Sequence, residues 1–359
     1  MRKYIICLLL FNFYTFTLAQ STTPRWTAQR ARDWSAKQTW FCGFNYIPSN
    51  AINYTAMWDK TSFSPELIQK ELSLASQTGF NCVRVVLQYA VYADDPAYFK
   101  KTFAQFLSIC QQNRMKVMPI FFDDCVFGTV CNPQIGRQPE PLPGWYAWAW
   151  SPSPGHTMVA DPAYHTKLET YVTDLLTTFR NDPRIFIWDL YNEPTNGGLG
   201  KTSLPLLRKV FAWARAVDPS QPITVGHWVR NNPVLRHEIM INSDVITFHC
   251  YDELSKLTDF VNELKKENRP IICTEWLNRS QKSVPETILP YFQQESIGCM
   301  HWGLVNGKTQ THLPWGHRPG DPEPTVWQHD LYHADFSPYR PTELHLFKEM
   351  IETTAKSQR

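Results

Sequence analysis

Eight short apolar runs, each followed by an amphipathic stretch, limit what this chain can fold into. The runs fall at residues 40–45, 81–87, 116–122, 185–189, 223–227, 245–248, 270–274 and 298–303. They are continuous and rich in β-branched and aromatic residues, as strands buried on both faces require. Helical periodicity fills 64–78, 97–113, 163–180, 203–217, 254–267 and 284–295, with 341–355 after the last run. The poorest connection is 231–243, where 233–240 alone suits a helix. Ser64-Pro65-Glu66 offers an N-cap with proline at the first helical position, and Asn113 and Gly79 are stop signals. Strands alternating with helices pair in parallel through crossovers, and eight such units fit one closed sheet better than two open ones. The expectation is an α/β protein with a single (β/α)8 barrel over residues 20–359 and long loops after strands three and eight.

Two of the runs end in a glutamate. Ile185-Phe186-Ile187-Trp188-Asp189-Leu190-Tyr191-Asn192-Glu193-Pro194 begins as a buried strand and stops at a proline that cannot extend a ladder. Pro270-Ile271-Ile272-Cys273-Thr274-Glu275-Trp276 has the same design. In a barrel, the ends of strands four and seven meet on one rim, so Glu193 and Glu275 face each other. Carboxyls ~5–5.5 Å apart suit double displacement at a sugar's anomeric carbon, one attacking and the other moving protons. Arg84 in strand two and Tyr251 after strand six can hold the attacking carboxylate ionised. Asn192 can bond a hydroxyl beside the reacting carbon, and Trp302 in strand eight can stack on a ring. Singly, Arg84 reads equally well as a structural ion-pair partner, Tyr251 as a core phenol and Trp302 as barrel filling.

The two longest connections are 123–162 and 304–339. Among the 14 tryptophans of the chain, the first carries Trp145, Trp148 and Trp150 beside Tyr146, and the second Trp315 and Trp327 with His312 and His317. Loops this long and aromatic are functional more often than disordered. Residues 1–19 have a basic start at Arg2 and Lys3, an apolar stretch too short for a membrane span, and Thr17-Leu18-Ala19 as a cleavage site. A secreted or periplasmic location follows as an expectation. Cleavage takes the formal charge from +2 to zero, which argues against nucleic acid or stable membrane insertion. Of the nine cysteines, Cys125 and Cys131 share the first long loop and suit a disulfide staple as well as free thiols; no Cys/His spacing resembles a zinc site.

Val83-Arg84-Val85-Val86, Asn192-Glu193-Pro194, Phe248-His249-Cys250-Tyr251, Cys273-Thr274-Glu275-Trp276 and His301-Trp302-Gly303 together resemble the retaining glycoside hydrolases of clan A. Family 5, the cellulase and mannanase family, is the nearest match, over residues from about 41 to 303. The resemblance implies a TIM barrel needing no cofactor or metal, with Glu193 as acid/base and Glu275 as nucleophile. By the same resemblance, Asn192 holds the 2-hydroxyl, Arg84 and Tyr251 support the nucleophile, and His249 and Trp302 line the cleaved sugar's subsite. Phe121-Phe122-Asp123-Asp124-Cys125 departs from the family, many of whose members have histidine near there. Asp123 and Asp124 could grip a terminal sugar's hydroxyls or cap a loop. With Trp148 and Trp315 counted as substrate contacts, the expected enzyme cleaves β-mannosides or β-glucosides, leaning to chain ends or short oligosaccharides. Alternatives are an endo-acting glycanase, a catalytically silent carbohydrate-binding barrel, and a metal-dependent hydrolase using His227, His249 and His301.

Overall fold

The computed structural model describes residues 23–357; the expected leader at 1–19 lies outside the described residues. Eight parallel strands close a barrel. They are β1 Cys42–Asn45, β2 Cys82–Val86, β3 Lys116–Asp123, β4 Trp188–Asn192, β5, β6 Ile246–His249, β7 Ile271–Glu275 and β8 Gly298–Trp302. Strand β5 is two segments, Ile223–Thr224 and Gly226–His227. The first pairs with β4 and the second with β6, so this one interrupted strand completes the ring that β1 closes with β8 on the opposite side.

Around the barrel run α1 Ala28–Ala36, α2 Tyr54–Trp58, α3 Pro65–Thr78, α4 Tyr89–Asp94, α5 Pro96–Gln112 and α6 His156–Ala160. They are followed by α7 His165–Thr178, α8 Leu204–Val217, α9 Pro233–Asn242, α10 Leu254–Leu264, α11 Pro285–Gln294 and α12 Pro341–Ser357. The poorest sequence segment does form α9, started by Pro233 and by an Asn232 side chain that accepts from Leu235 N–H. Helix α3 ends as its sequence suggests, on Gly79 at φ 99°. No helix among the described residues is long and apolar enough to cross a membrane.

The fourth strand departs from its apolar run. Pairing covers Trp188–Asn192 rather than 185–189, because β3 extends to Asp123 and carries β4 with it through Asp123↔Asn192. Ile185 keeps only an isolated bridge to Val117. The shift puts Asn192 inside the sheet and Glu193 on the first residue beyond it.

The two ends of the barrel differ in chemistry. Cys82, Met118, Ile187, Ile272 and Met300, near the strand starts, form an apolar plug with Phe41, covered by Trp26 and Ala31 of the α1 region. Buried polar groups (Asn45, Arg84, Asp189, Asn192, His249 and Glu275) sit towards the strand ends. Burying them there is tolerable only where each finds a partner.

The C-terminal helix is tied to the loop after β7 by one buried pair, which also holds the loop after β8. Arg279 donates to both Glu343 oxygens, and also to the carbonyls of His329 and Asp330. Both side chains are 1% exposed. Removing one partner strands a buried charge. Glu343→Ala should therefore lower the unfolding free energy by about 3–5 kcal/mol, read as a drop in urea midpoint at unchanged slope.

Candidate active site

Arg84 collects the site. Its Nε and Nη2 donate to Asp189 Oδ2 at 3.0 and 2.7 Å, and Nη2 also donates to Asn192 Oδ1 at 2.7 Å. Its Nη1 donates to Asn45 Oδ1 and Glu275 Oε1, both at 2.7 Å. All five N–H groups of a guanidinium are thereby used. Burial works against this charge, but Asp189 and Glu275 more than offset it and hold the guanidinium pKa above its ordinary value. Asn45 lies beside Arg84 on one flank and Trp302 on the other in the β1 ladders. Its amide donates across to the carbonyls of Thr274 and His301.

Glu275 Oε2 accepts from Tyr251 Oη at 2.7 Å, so each oxygen of this carboxylate has a strong donor. The register between β6 and β7 shifts at Phe248/His249, setting His249 opposite Glu275. Such irregularities re-aim side chains at functional sites. Here the shift lets His249 Nδ1 approach Glu193 Oε1 at 2.8 Å and Glu275 Oε2 at 3.5 Å. A Cβ on Gly226 would stand 2.9 Å from the other nitrogen of that ring, so the glycine makes room for it.

Glu193 has φ +42°, unusual for a side-chain-bearing residue and more so before proline. Strain of this kind persists where surrounding contacts impose it. Glu193 Oε2 accepts from Asn196 Nδ2 at 2.6 Å and lies 3.3 Å from Cys125 Sγ. Burial pushes the Glu193 carboxyl up. The hydrogen bond and charge of His249, then the bonds of Cys125 and Asn196, bring it net below the usual glutamate value. One ligand atom each of Glu193, His249 and Glu275 lie within 4.8 Å of one another. This is the one group of three among the described residues that could hold a metal ion. That proximity suits double displacement, for which the two carboxyls stand ~5–5.5 Å apart.

The carboxylates open into a cavity of about 360 Å³ walled by Tyr146, Trp150, Trp228, Trp302 and Trp315. Trp302 meets Trp150 edge to face at 5.6 Å, and Trp315 stands edge-on to Tyr251 at 4.8 Å and is 40% exposed at the mouth. The two long loops are knitted together along one side. Gln310 accepts from Gly144 N–H and donates to the Leu142 and Trp145 carbonyls, while Ala147 N–H donates to Thr309 O. His317 Nδ1 bonds Gly144 O, and Trp315 Nε1 donates to Tyr146 Oη.

Residues 42–308 match the cellulase family, glycosyl hydrolase family 5. The chain belongs to glycosyl hydrolase family 5. Mannan endo-1,4-beta-mannosidases 5 and 2 of Arabidopsis thaliana are each 31% identical to this family 5 chain over 94 residues, a match covering 22% of the chain and 22% of either relative. The fold resembles an endo-beta-1,4-mannanase from Thermotoga petrophila (TM-score 0.59, 14% identity, 91% of this chain and 79% of that one). It also resembles an exo-beta-1,4-mannosidase from Opitutaceae bacterium strain TAV5 (TM-score 0.62, 16% identity, 94% and 62%).

Of the residues expected at this family 5 site, Arg84, Asn192, Glu193, His249, Tyr251, Glu275, Trp302 and Trp315 do line the cavity. Asp123, Asp124 and Trp148 do not. Asp123 is buried, accepting from Asn192 Nδ2, Trp150 Nε1 and Cys125 N–H. Asp124 is buried too, accepting from Tyr191 Oη, Ser203 Oγ and Thr195 N–H. Three protein donors bind each of them to loops and strand ends, the loop-anchoring role left open by the sequence, and neither lines the cavity. Trp148 packs on Trp145 at 6.3 Å behind the wall. The staple is absent as well: Cys125 and Cys131 are free thiols, Cys125 buried in the cavity wall and Cys131 exposed. His227 packs on Phe260, and His301 lies among Phe44, Phe80 and Phe347, so neither joins His249 in a ligand set. Asn45, Cys125, Tyr146, Trp150, Asn196 and Trp228 belong to the site without having been expected there.

Burial pushes the Asp123 carboxyl up to about 6 and that of Asp124 up to about 7. A raised folded-state pKa gives stability that is complete below the unfolded value of 3.8 and lost as pH rises through about 7. The stability of the natural protein relative to Asp124→Asn should thus fall by about 2–3 kcal/mol between pH 5 and pH 8. Paired urea titrations across that range measure it.

Proposed function

We propose that this family 5 hydrolase is an exported, exo-acting retaining β-mannosidase that removes sugars from the ends of β-linked manno-oligosaccharides. The observation that carries exo-action is the wall made by the two long loops, joined through Gln310 and His317 along one side of the cavity. A polymer chain passing across the catalytic pair needs a groove open at both ends. A closed side instead stops the chain after the sugar being cleaved. Mannose as the sugar is supported by the named activities of the relatives, endo- and exo-acting alike. Export is supported by the basic and apolar character of residues 1–19.

In this reading Glu275 is the nucleophile. Arg84 and Tyr251 donate to its two oxygens, which aims it. Glu193 gives a proton to the leaving oxygen, then takes one from the water that releases the glycosyl group. In the empty pocket its neighbours hold it low. A sugar that fills the cavity and expels water works in the opposite direction, as burial already does. Asn192 is oriented by Asp123 and Arg84 and presents its amide edge beside the reacting carbon. Trp302 stacks beneath the ring.

Glu275→Gln should leave a folded protein with almost no turnover on any glycoside. Glu193→Ala should lose about 10²- to 10⁴-fold in kcat/KM on poor leaving groups yet retain the first step on activated aryl mannosides, with azide restoring the second. On mannohexaose, early products should be mannose and the next shorter oligomer, with the β-anomer formed first in the NMR spectrum. An early mixture of internal fragments overturns exo-action, and unchanged rates in both variants overturn the carboxylate assignment.

A further inference from the structure

Cys125 remains without a role once the staple is gone, and its surroundings give it one. Its sulfur lies 3.3 Å from Glu193 Oε2, 3.4 Å from Asn196 Nδ2 and 3.5 Å from Asn192 Nδ2. Both amide groups can only donate to it, so the carboxylate is the one acceptor of the three for the S–H proton. The residue is fixed from behind, its backbone N–H donating to Asp123 Oδ1 at 3.1 Å. Burial, then the negative charges of Asp123, Glu193 and Glu275, push the Cys125 thiol well above its ordinary value, so it stays a protonated donor.

We infer that Cys125 is a positioning residue for Glu193: its thiol donates to Glu193 Oε2, fixes the carboxylate rotamer and favours the base form used in the second half of the reaction. This rests on the acid/base role proposed above for Glu193. The other groups facing that carboxylate come from several elements. His249 ends β6 and Tyr251 follows it, Glu275 ends β7, Asp123 ends β3 and Asp124 follows it, while Arg84 bonds Asn192, which donates to the thiol. Arg230, Asp252 and Lys256 stand at the cavity rim. Asp123 also interacts with the Cys125 side chain, whereas the serine variant keeps a donor for both carboxylates and so separates loss of the donor from loss of the side chain.

The test is the pH profile of kcat/KM on an aryl β-mannoside, whose alkaline limb reports the apparent pKa of the coupled Glu193–His249 pair in the free enzyme. Removing a donor to the ionised form raises that value. Cys125→Ala should move the alkaline limb up by about half a pH unit to one unit. Cys125→Ser, which keeps a donor, should restore the limb of the natural enzyme. Cys125→Val, which fills the space without a donor, gives the same reading if the alanine variant fails to fold. An alanine or valine profile superimposed on the natural one overturns the inference, as does a serine variant displaced as far as alanine. Azide rescue of Glu193→Ala separates the two layers. Rescue together with an unmoved Cys125→Ala limb sinks the thiol's role alone, whereas failure of rescue sinks the acid/base reading and this inference with it.

Discussion

One guanidinium, buried to 1% exposure, joins four strands of this barrel. Arg84 of β2 spends its donors on Asn45 of β1, Asp189 and Asn192 of β4, and Glu275 of β7. A charge taken out of water is costly unless every direction around it is occupied by a partner. That condition fixes the register of those partners as firmly as the ladders do. A lysine could neutralise one carboxylate but has neither the planar fork nor enough donors for the rest. The catalytic geometry is therefore a by-product of satisfying Arg84, and the strands that meet it cannot slide without stranding a buried carboxylate.

The two carboxylates that face each other live in different company. Glu275 is held by a cation and a phenol, both hard donors on rigid strand ends. Glu193 is held by an imidazole, an amide and a thiol, on a strained turn just past the sheet. In the proposed mechanism the first environment suits the attacking group, and the second a group that changes charge twice in each turnover. The difference arises from the ends of different strands, which is how a barrel with one interior produces two chemistries on one rim.

Much of this was legible in the sequence because a buried strand ending in a carboxylate has a pattern that few other structures share. Glu193, Glu275, Arg84 and Tyr251 could be placed from run lengths alone. The limits were physical. The apolar run at 185–189 suggested a strand three residues early, since hydrophobicity marks burial whereas pairing with the longer β3 decides where the ladder lies. Asp123 and Asp124 read equally as sugar grips or loop caps, because a sequence does not reveal that six donors converge on them. The spacing of Cys125 and Cys131 suited a staple, but Asp123 anchors the first cysteine inward while the second stays outside. Helix α2 escaped notice because all five of its residues are buried, leaving no amphipathic period to detect.

The interrupted fifth strand has a consequence for how the molecule moves. The belt of paired strands is up to five pairs wide, as between β2 and β3, and two pairs wide between β7 and β8, but β5 alone has only two pairs on both of its flanks, either side of Val225. Local opening requires the least loss of pairing at that seam, so amide protons there should exchange with solvent ahead of the rest of the barrel. Trp228, the next residue along, donates to Pro194 O at 2.9 Å. Each breathing event at the seam therefore tugs on the turn that carries Glu193, and thermal loss of catalysis would precede global melting from this side of the ring.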